Sequence, residues 1–374
     1  VRWALILLAA CAAGAPAAPT RARPLGLNDV SILLPLPRDP QRPVLAAAPG
    51  VIERRWFDAL VTAHGDLAPR VGGPVAFADY QVVALRFDLC DRAVVGACPP
   101  AGDGRVRLVL QPMYRRGAVV AAHDLALHAF YAVPAGEVAA MVGELRGLAA
   151  LQPAPPDAPL GVSAAAANPA YLARLRGLVE RRARPERLVR LTVIGQLADS
   201  AAFAWVFRGL DRAGDGFAPT AIPGVPGAEQ SLQLAGGDTV YRTQPLVDAP
   251  AGFALATNGP AFAAAAPADR AAALEALTAI QNPLRHDTVD VPCVACHVAT
   301  FLTARRAEAT GVAPAAIAGR YASPRARAAA TIASRDARVI RGFGWAASAP
   351  AISQRVANDS AQVLAELDAR FPAP

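Results

Sequence analysis

Three stretches of strict alternation limit what this chain can fold into. From Tyr80 to Leu89, Val83, Leu85, Phe87 and Leu89 fall on one side, with Arg86 and Asp88 on the other. Arg105 to Gln111 repeats the pattern, with Val106, Leu108 and Leu110 on one side and Arg105, Arg107 and Gln111 on the other. Leu125 to Val133 is the third stretch, and there Leu125, Leu127 and Tyr131 share a side. A period of two belongs to a strand with one buried face. The intervening Pro99-Pro100, Gly102 and Gly104 favour turns. The pattern predicts an antiparallel meander with its charged side outward, followed by a helix from Ala135 to about Ala150.

A second strand group begins at Leu188. Leu191 and Val193 alternate with Arg190 and Thr192, and Phe203, Trp205 and Phe207 with Ala204 and Arg208. A hairpin is expected at Asp199-Ser200, with weaker strands over Thr239 to Gln244 and Phe253 to Thr257. Asp29 to Pro37 reads as an edge strand, because Pro35 and Pro37 cannot donate to a ladder. Helical spacing marks Val51 to Ala63, Asn168-Pro169 to Ala183, Ala268 to Gln281 and Ala351 to Phe371. Gln152 to Pro159 holds four prolines and reads as a linker. The expected class is α+β: antiparallel strand groups with packed helices, then a mostly helical C-terminal segment. The expected boundaries are 28–151 and 160–281 for two α+β domains and 282–374 for the helical segment, since 374 residues are many for one core.

The residues with a chemistry of their own are Cys293-Val294-Ala295-Cys296-His297. Two thiols three positions apart lie on one side of a turn, where both can add to the vinyl groups of one porphyrin. The adjacent imidazole can then reach the iron from the proximal face. This C-x-x-C-H spacing resembles that of the c-type cytochromes. The resemblance covers these five residues and the helix expected after them. It implies one covalent haem c, with Cys293 and Cys296 as attachment points and His297 as proximal ligand. The same spacing serves a Cys293–Cys296 disulfide, or half of a zinc site that would need two more ligands. For the sixth iron ligand the order of expectation is His286, seven residues before Cys293, then an open position, then Met113. Met141 lies on an apolar helix stripe. His64, His123 and His128 are also available, His128 within a strand pattern. Arg305 and Arg306 are expected to meet haem propionates, as guanidinium pairs well with carboxylate.

The compartment follows from the N-terminus and the cysteines. Val1-Arg2 precedes an apolar run from Trp3 to Ala10, too short to span a bilayer and suited to a secretory signal. Leu8-Ala9-Ala10-Cys11 resembles the bacterial lipobox, which implies lipidation of Cys11, a signal over 1–11 and a tether over 12–27. An ordinary signal peptide cut near Ala15 or Ala18 is the alternative. With Cys11 lipidated and Cys293 and Cys296 on haem, Cys90 and Cys98 are left flanking a short loop that a disulfide could close in an oxidising compartment. Two reduced cysteines there remain the other possibility.

All 37 basic residues are arginine, which excludes lysine Schiff-base chemistry. The net charge of +7 suits acidic partners, and export argues against nucleic acid as one of them. No G-x-S-x-G, Walker A or H-E-x-x-H occurs. Asp211 to Gly216 lacks the acidic positions of a calcium loop. The expected protein is an outer-membrane lipid-anchored haem protein, facing the periplasm or the cell surface, that transfers electrons to periplasmic redox proteins. The alternatives are a non-catalytic binding lipoprotein with a Cys293–Cys296 disulfide, and a haem peroxidase or sensor with an open iron.

Overall fold

The computed structural model describes residues 23–64, 75–90, 102–196, 204–236, 240–247, 250–287, 290–327 and 336–372. Cys11, Cys98, the segment 1–11 and the turn at Asp199-Ser200 lie outside these residues.

The alternating stretches become long strands of one antiparallel sheet. A short edge strand, β1 (Ser31–Leu33), pairs with β2 (Tyr80–Asp88), and β2 pairs with β3 (Gly104–Arg116). A small hairpin strand, β4 (Val119–Ala122), folds back on the end of β3, while β5 (Leu125–Val133) pairs along the body of β3. Next come β6 (Leu188–Gln196), β7 (Ala204–Ala213), β8 (Gly216–Pro219), β9 (Glu229–Ala235) and β10 (Val240–Gln244). The spatial order is β1-β2-β3-β5-β6-β7-β9-β10, with β4 on β3 and β8 on β7. The class is therefore α+β.

The two strand groups share this sheet. β5 and β6 pair from Leu125↔Gly195 to Tyr131↔Leu188, so residues on either side of the 152–159 linker meet in one ladder. Parting them would strip two long edges of their hydrogen bonds.

Helices cover both faces. The N-terminal ones are α1 (Leu27–Val30), α2 (Arg54–His64), α3 (Ala135–Ala149) and α4 (Pro169–Arg182). The start of α4 is fixed by Asn168, whose side chain accepts from Ala170 N, and by Pro169 at the first helical position. Leu85, Leu108, Ala129, Leu191 and Leu210 form one apolar row across the sheet, each opposite the next. α2 lies on this face: Trp56 packs 4.5 Å from the Phe217 ring and beneath the Arg212 guanidinium. Tyr131 on the same face donates to the Val51 carbonyl at 2.7 Å. α3 packs on α4, and α4 on β5.

The other face departs from the expected pattern. Its rows are Arg86, Arg107, Phe130 and Arg190, then Val109, His128, Thr192 and Gly209. Charge on alternate residues suggested solvent on this side. Instead the C-terminal third of the chain covers it, so both faces of the central strands are shielded. That third comprises α5 (Phe253–Thr257), α6 (Gly259–Ala264), α7 (Pro267–Ile280), α8 (Cys293–Thr310), the hairpin β11 (Phe343–Ala346) and β12 (Ala349–Ile352), and α9 (Gln354–Arg370). Phe253–Thr257, expected as a strand, is helical because its buried residues, Phe253, Ala256 and Thr257, follow helical spacing. Gly252 before it has φ +84°, and a Cβ there would lie 2.8 Å from Ala273 Cα, so only glycine lets α5 approach α7 this closely.

Buried polar side chains fasten this layer. Gln281, at the end of α7, donates to Thr303 and accepts from Thr300 on α8, while its own carbonyl accepts from Asn358 on α9. Gln111 of β3 is fully buried and acts as an extra strand partner for β11. Its amide oxygen accepts from Trp345 N at 2.8 Å, and its amide nitrogen donates to the Trp345 and His123 carbonyls at 2.9 and 3.0 Å. Arg86 and Arg355 both pair with Asp359, which seats α9 against β2.

Candidate functional site

The helix α8 begins at Cys293, immediately after Val291-Pro292. A helix start leaves N–H groups without partners inside the helix. Here the buried side chain of Gln230 on β9 accepts from Val294 N at 3.0 Å. Positions i, i+3 and i+4 share one helix face, and this sets Cys293, Cys296 and His297 together towards the sheet. Val294, Ala295 and Val298 are buried on the remaining faces.

The three residues line a cavity of about 190 Å³ between α8, α9 and the sheet. Its apolar wall includes Val109, Phe130, Ile194, Phe207, Val291, Phe343 and Val356. Its charged wall holds Arg86, Arg107, Arg190, Arg208 and Arg355, all ion-paired: Arg86 with Asp88 and Asp359, Arg107 with Asp88, Arg190 with Asp211, Arg208 with Glu229 and Arg355 with Asp359. The Thr220 hydroxyl, buried in the lining, has no hydrogen-bond partner among the described residues. The cavity is thus apolar over much of its surface, with a set of ion-paired arginines on one side.

Cys293 and Cys296 are free thiols. Burial pushes their pKa values up to about 12 and about 11, so both stay protonated at neutral pH. The His297 ring packs edge-on against Phe207, 5.0 Å between centroids. Its Nδ1 lies 2.7 Å from the Ile340 carbonyl. A carbonyl only accepts, so Nδ1 carries the proton and Nε2 keeps a lone pair. Burial brings the His297 pKa down to about 4, which keeps the ring neutral.

Ile340 is held by its neighbour. Arg341, with a side chain 1% exposed, bonds Asp124 at 2.7 Å, and Asp124 also accepts from the Trp205 indole at 2.7 Å. Gly342 accepts from Ser353 N, which joins this segment to the start of α9. The orientation of His297 therefore rests on a chain of contacts that reaches the sheet.

Other residues singled out in the sequence fall elsewhere. His286 is not among the cavity-lining residues; its ring lies 3.4 Å from the Asp290 carboxylate. Arg305 pairs with Glu308 at the surface, and Arg306 donates to the Ala256 carbonyl and lies over Phe262. Neither lines the cavity: more than two helix turns beyond His297, Arg305 lies at the surface and Arg306 packs on α5 and α6. Met113 and Met141 are buried in the core, and His123 stacks on Tyr114. His64 ends α2. Cys90, buried after β2, is disulfide-bonded. Cys98 lies outside the described residues, so its pairing with Cys90 stays an expectation.

The residue that sequence reasoning left unassigned is His128. It lines the same cavity from the sheet side. Burial, then the proximity of His297, Arg341 and Arg107, holds it well below the usual histidine range, so it too is neutral. The available signal was registry: pairing the three alternating stretches puts His128 one row from Arg107 and Arg190.

Among the described residues, no group of three or more His, Cys, Asp or Glu side chains is arranged to hold a metal ion. No described helix is long and apolar enough to cross a membrane. Comparison with protein families, with curated proteins and with solved structures found no match.

Proposed function

We propose that this chain binds one covalent c-type haem in the cavity and serves in electron transfer. The observation that carries the reading is the shared orientation of Cys293, Cys296 and His297 towards one largely apolar cavity. Two protonated thiols at helical i, i+3 positions are available for thioether bonds, and a neutral His297 offers Nε2 to iron. The Nδ1–H bond to Ile340 O is the kind of outer contact that fixes the tautomer and orientation of a ligating histidine. Arg86, Arg107 and Arg190 stand in one row of the sheet beside the cavity, paired with Asp88 and Asp359, Asp88, and Asp211, so a carboxylate entering there would share guanidinium groups with these side chains. Haem supplies one-electron chemistry when bound; the chain orients it and keeps water from its faces.

Export, a lipid anchor at Cys11, an outer-membrane location and periplasmic redox partners belong to the same proposal. They rest on the N-terminal sequence and on the oxidising compartment in which c-type haem is attached. The test is a pyridine haemochrome spectrum after acid–acetone extraction of protein made with a cytochrome c maturation system. A c-type band that survives extraction, and is lost in the Cys293→Ala/Cys296→Ala variant, is the expected result. No band, with Cys293 and Cys296 oxidised to each other, would leave a disulfide-bearing binding protein instead.

A further inference from the structure

Building on the haem reading, we infer that His128 is the second axial ligand, so that the iron is held between a sheet histidine and the helix histidine His297. The cavity offers few candidate ligands among the described residues. Beyond Cys293, Cys296 and His297, its lining consists of apolar residues, arginines, threonines, glycine, proline, serine, Asp359 and His128. Methionine, tyrosine and lysine do not line it. Asp359 is engaged by Arg86 and Arg355. His128 is therefore the one remaining lining side chain of a type that commonly ligates haem iron.

Geometry agrees with the inventory. His128 belongs to the central strand β5, and its ladder partners on either side are Val109 and Thr192, whose side chains also face the cavity. α8 packs over this face, so the two imidazoles approach the cavity from opposite layers. Both side chains line the one cavity. Neither ring nitrogen of His128 has a hydrogen-bond partner among the described residues. The half-buried ring faces the cavity, so a nitrogen is open to an iron from that side. The arginine row lies two residues further along the same strands, about 7 Å away at strand rise. His128 and this ion-paired arginine row are thus set side by side on one rigid surface. A position on a central strand also fixes the imidazole more firmly than the loop that bears His286.

The consequence is an iron with both axial positions filled from the protein, built for electron transfer and closed to small ligands. The experiment uses the full chain with haem attached, comparing the parent with His128→Ala, His128→Met and His286→Ala by absorption and electron paramagnetic resonance, with carbon monoxide added to the reduced forms. The parent and His286→Ala are expected to be low-spin and to bind no carbon monoxide. His128→Ala is expected to keep its covalent haem, become high-spin and bind one equivalent of carbon monoxide, with added imidazole restoring the low-spin spectrum. His128→Met retains a ligand of another kind and is expected to stay low-spin with a raised potential, which separates loss of ligation from loss of fold. A haem-loaded parent that is high-spin or binds carbon monoxide overturns the assignment. So does a His128→Ala protein with the parent spectrum, or a change confined to His286→Ala. Absence of covalent haem from the parent is a different failure: it sinks the haem reading itself, and this inference with it.

Discussion

Replacing Asp124 tests how the segment bearing Ile340 is held over the sheet. Asp124 accepts two bonds of 2.7 Å, from Arg341 and from the Trp205 indole. Arg341 is 1% exposed at its side chain and Asp124 35%. Two of the guanidinium nitrogens, Nε and Nη1, have no other partner, so Asp124 is the main compensation for a buried charge. Breaking a fully buried pair by removing one partner costs about 3–5 kcal/mol. Partial exposure of Asp124 lets water take its place, which puts the ion-pair loss at about 2–3 kcal/mol, and the indole bond adds about 1 kcal/mol. Asp124→Ala should therefore destabilise by about 3–4 kcal/mol. Arg341→Met should cost less, about 1–2 kcal/mol, because the carboxylate it abandons already reaches solvent. The double variant should recover about 2 kcal/mol relative to the sum of the two. The assay is urea unfolding of all four proteins without haem, comparing midpoints at a common slope. A loss below about 1 kcal/mol for Asp124→Ala, or strict additivity in the double variant, would refute the claim that this pair anchors the layer.

Two further outcomes follow from the same contacts. Burial holds His297 at about 4 in the folded chain, below the ordinary histidine value near 6.5. Between those values the unfolded chain binds the extra proton, so stability should fall as pH drops from about 6.5 towards 4, by at most about 3 kcal/mol, and a His297→Gln variant should show a shallower acid slope in pH-dependent unfolding of the haem-free protein. His128 contributes in the same direction. Gln111→Leu would strand the Trp345 N–H and the carbonyls of Trp345 and His123, at a cost of about 2–4 kcal/mol; hydrogen exchange should show β11 losing protection well before β2 and β3, and equal protection would contradict the role given to Gln111.

Local pattern carried the reading of this chain as far as contacts between sequence neighbours reach. Alternation marked β2, β3 and β5, and capping residues marked the start of α4. Both signals depend on residues within a few positions of one another. Cys293, Cys296 and His297 were readable for the same reason, since one helix turn brings them together. What alternation cannot tell is which layer covers the second face of a strand. Arg86, Arg107 and Arg190 looked like a solvated face because a charge facing water and a charge facing an enclosed cavity give the same period of two. The pairing of His128 with the α8 face depends on strand register and on how the C-terminal layer docks, and neither is written in any short stretch. His286 looked attractive only because it was near Cys293 along the chain.

The order of the strands has a consequence for how the molecule is made. Each strand from β1 to β10 pairs mainly with one close to it in the chain, so the sheet can form from N- to C-terminus as the polypeptide emerges. The segment from Cys293 onward arrives last and must travel back across strands laid down earlier. Until α8 and α9 settle, Cys293 and Cys296 stand apart from the finished sheet. The cavity is then completed only when this last layer docks, because its walls come from the sheet and from α8 and α9 together.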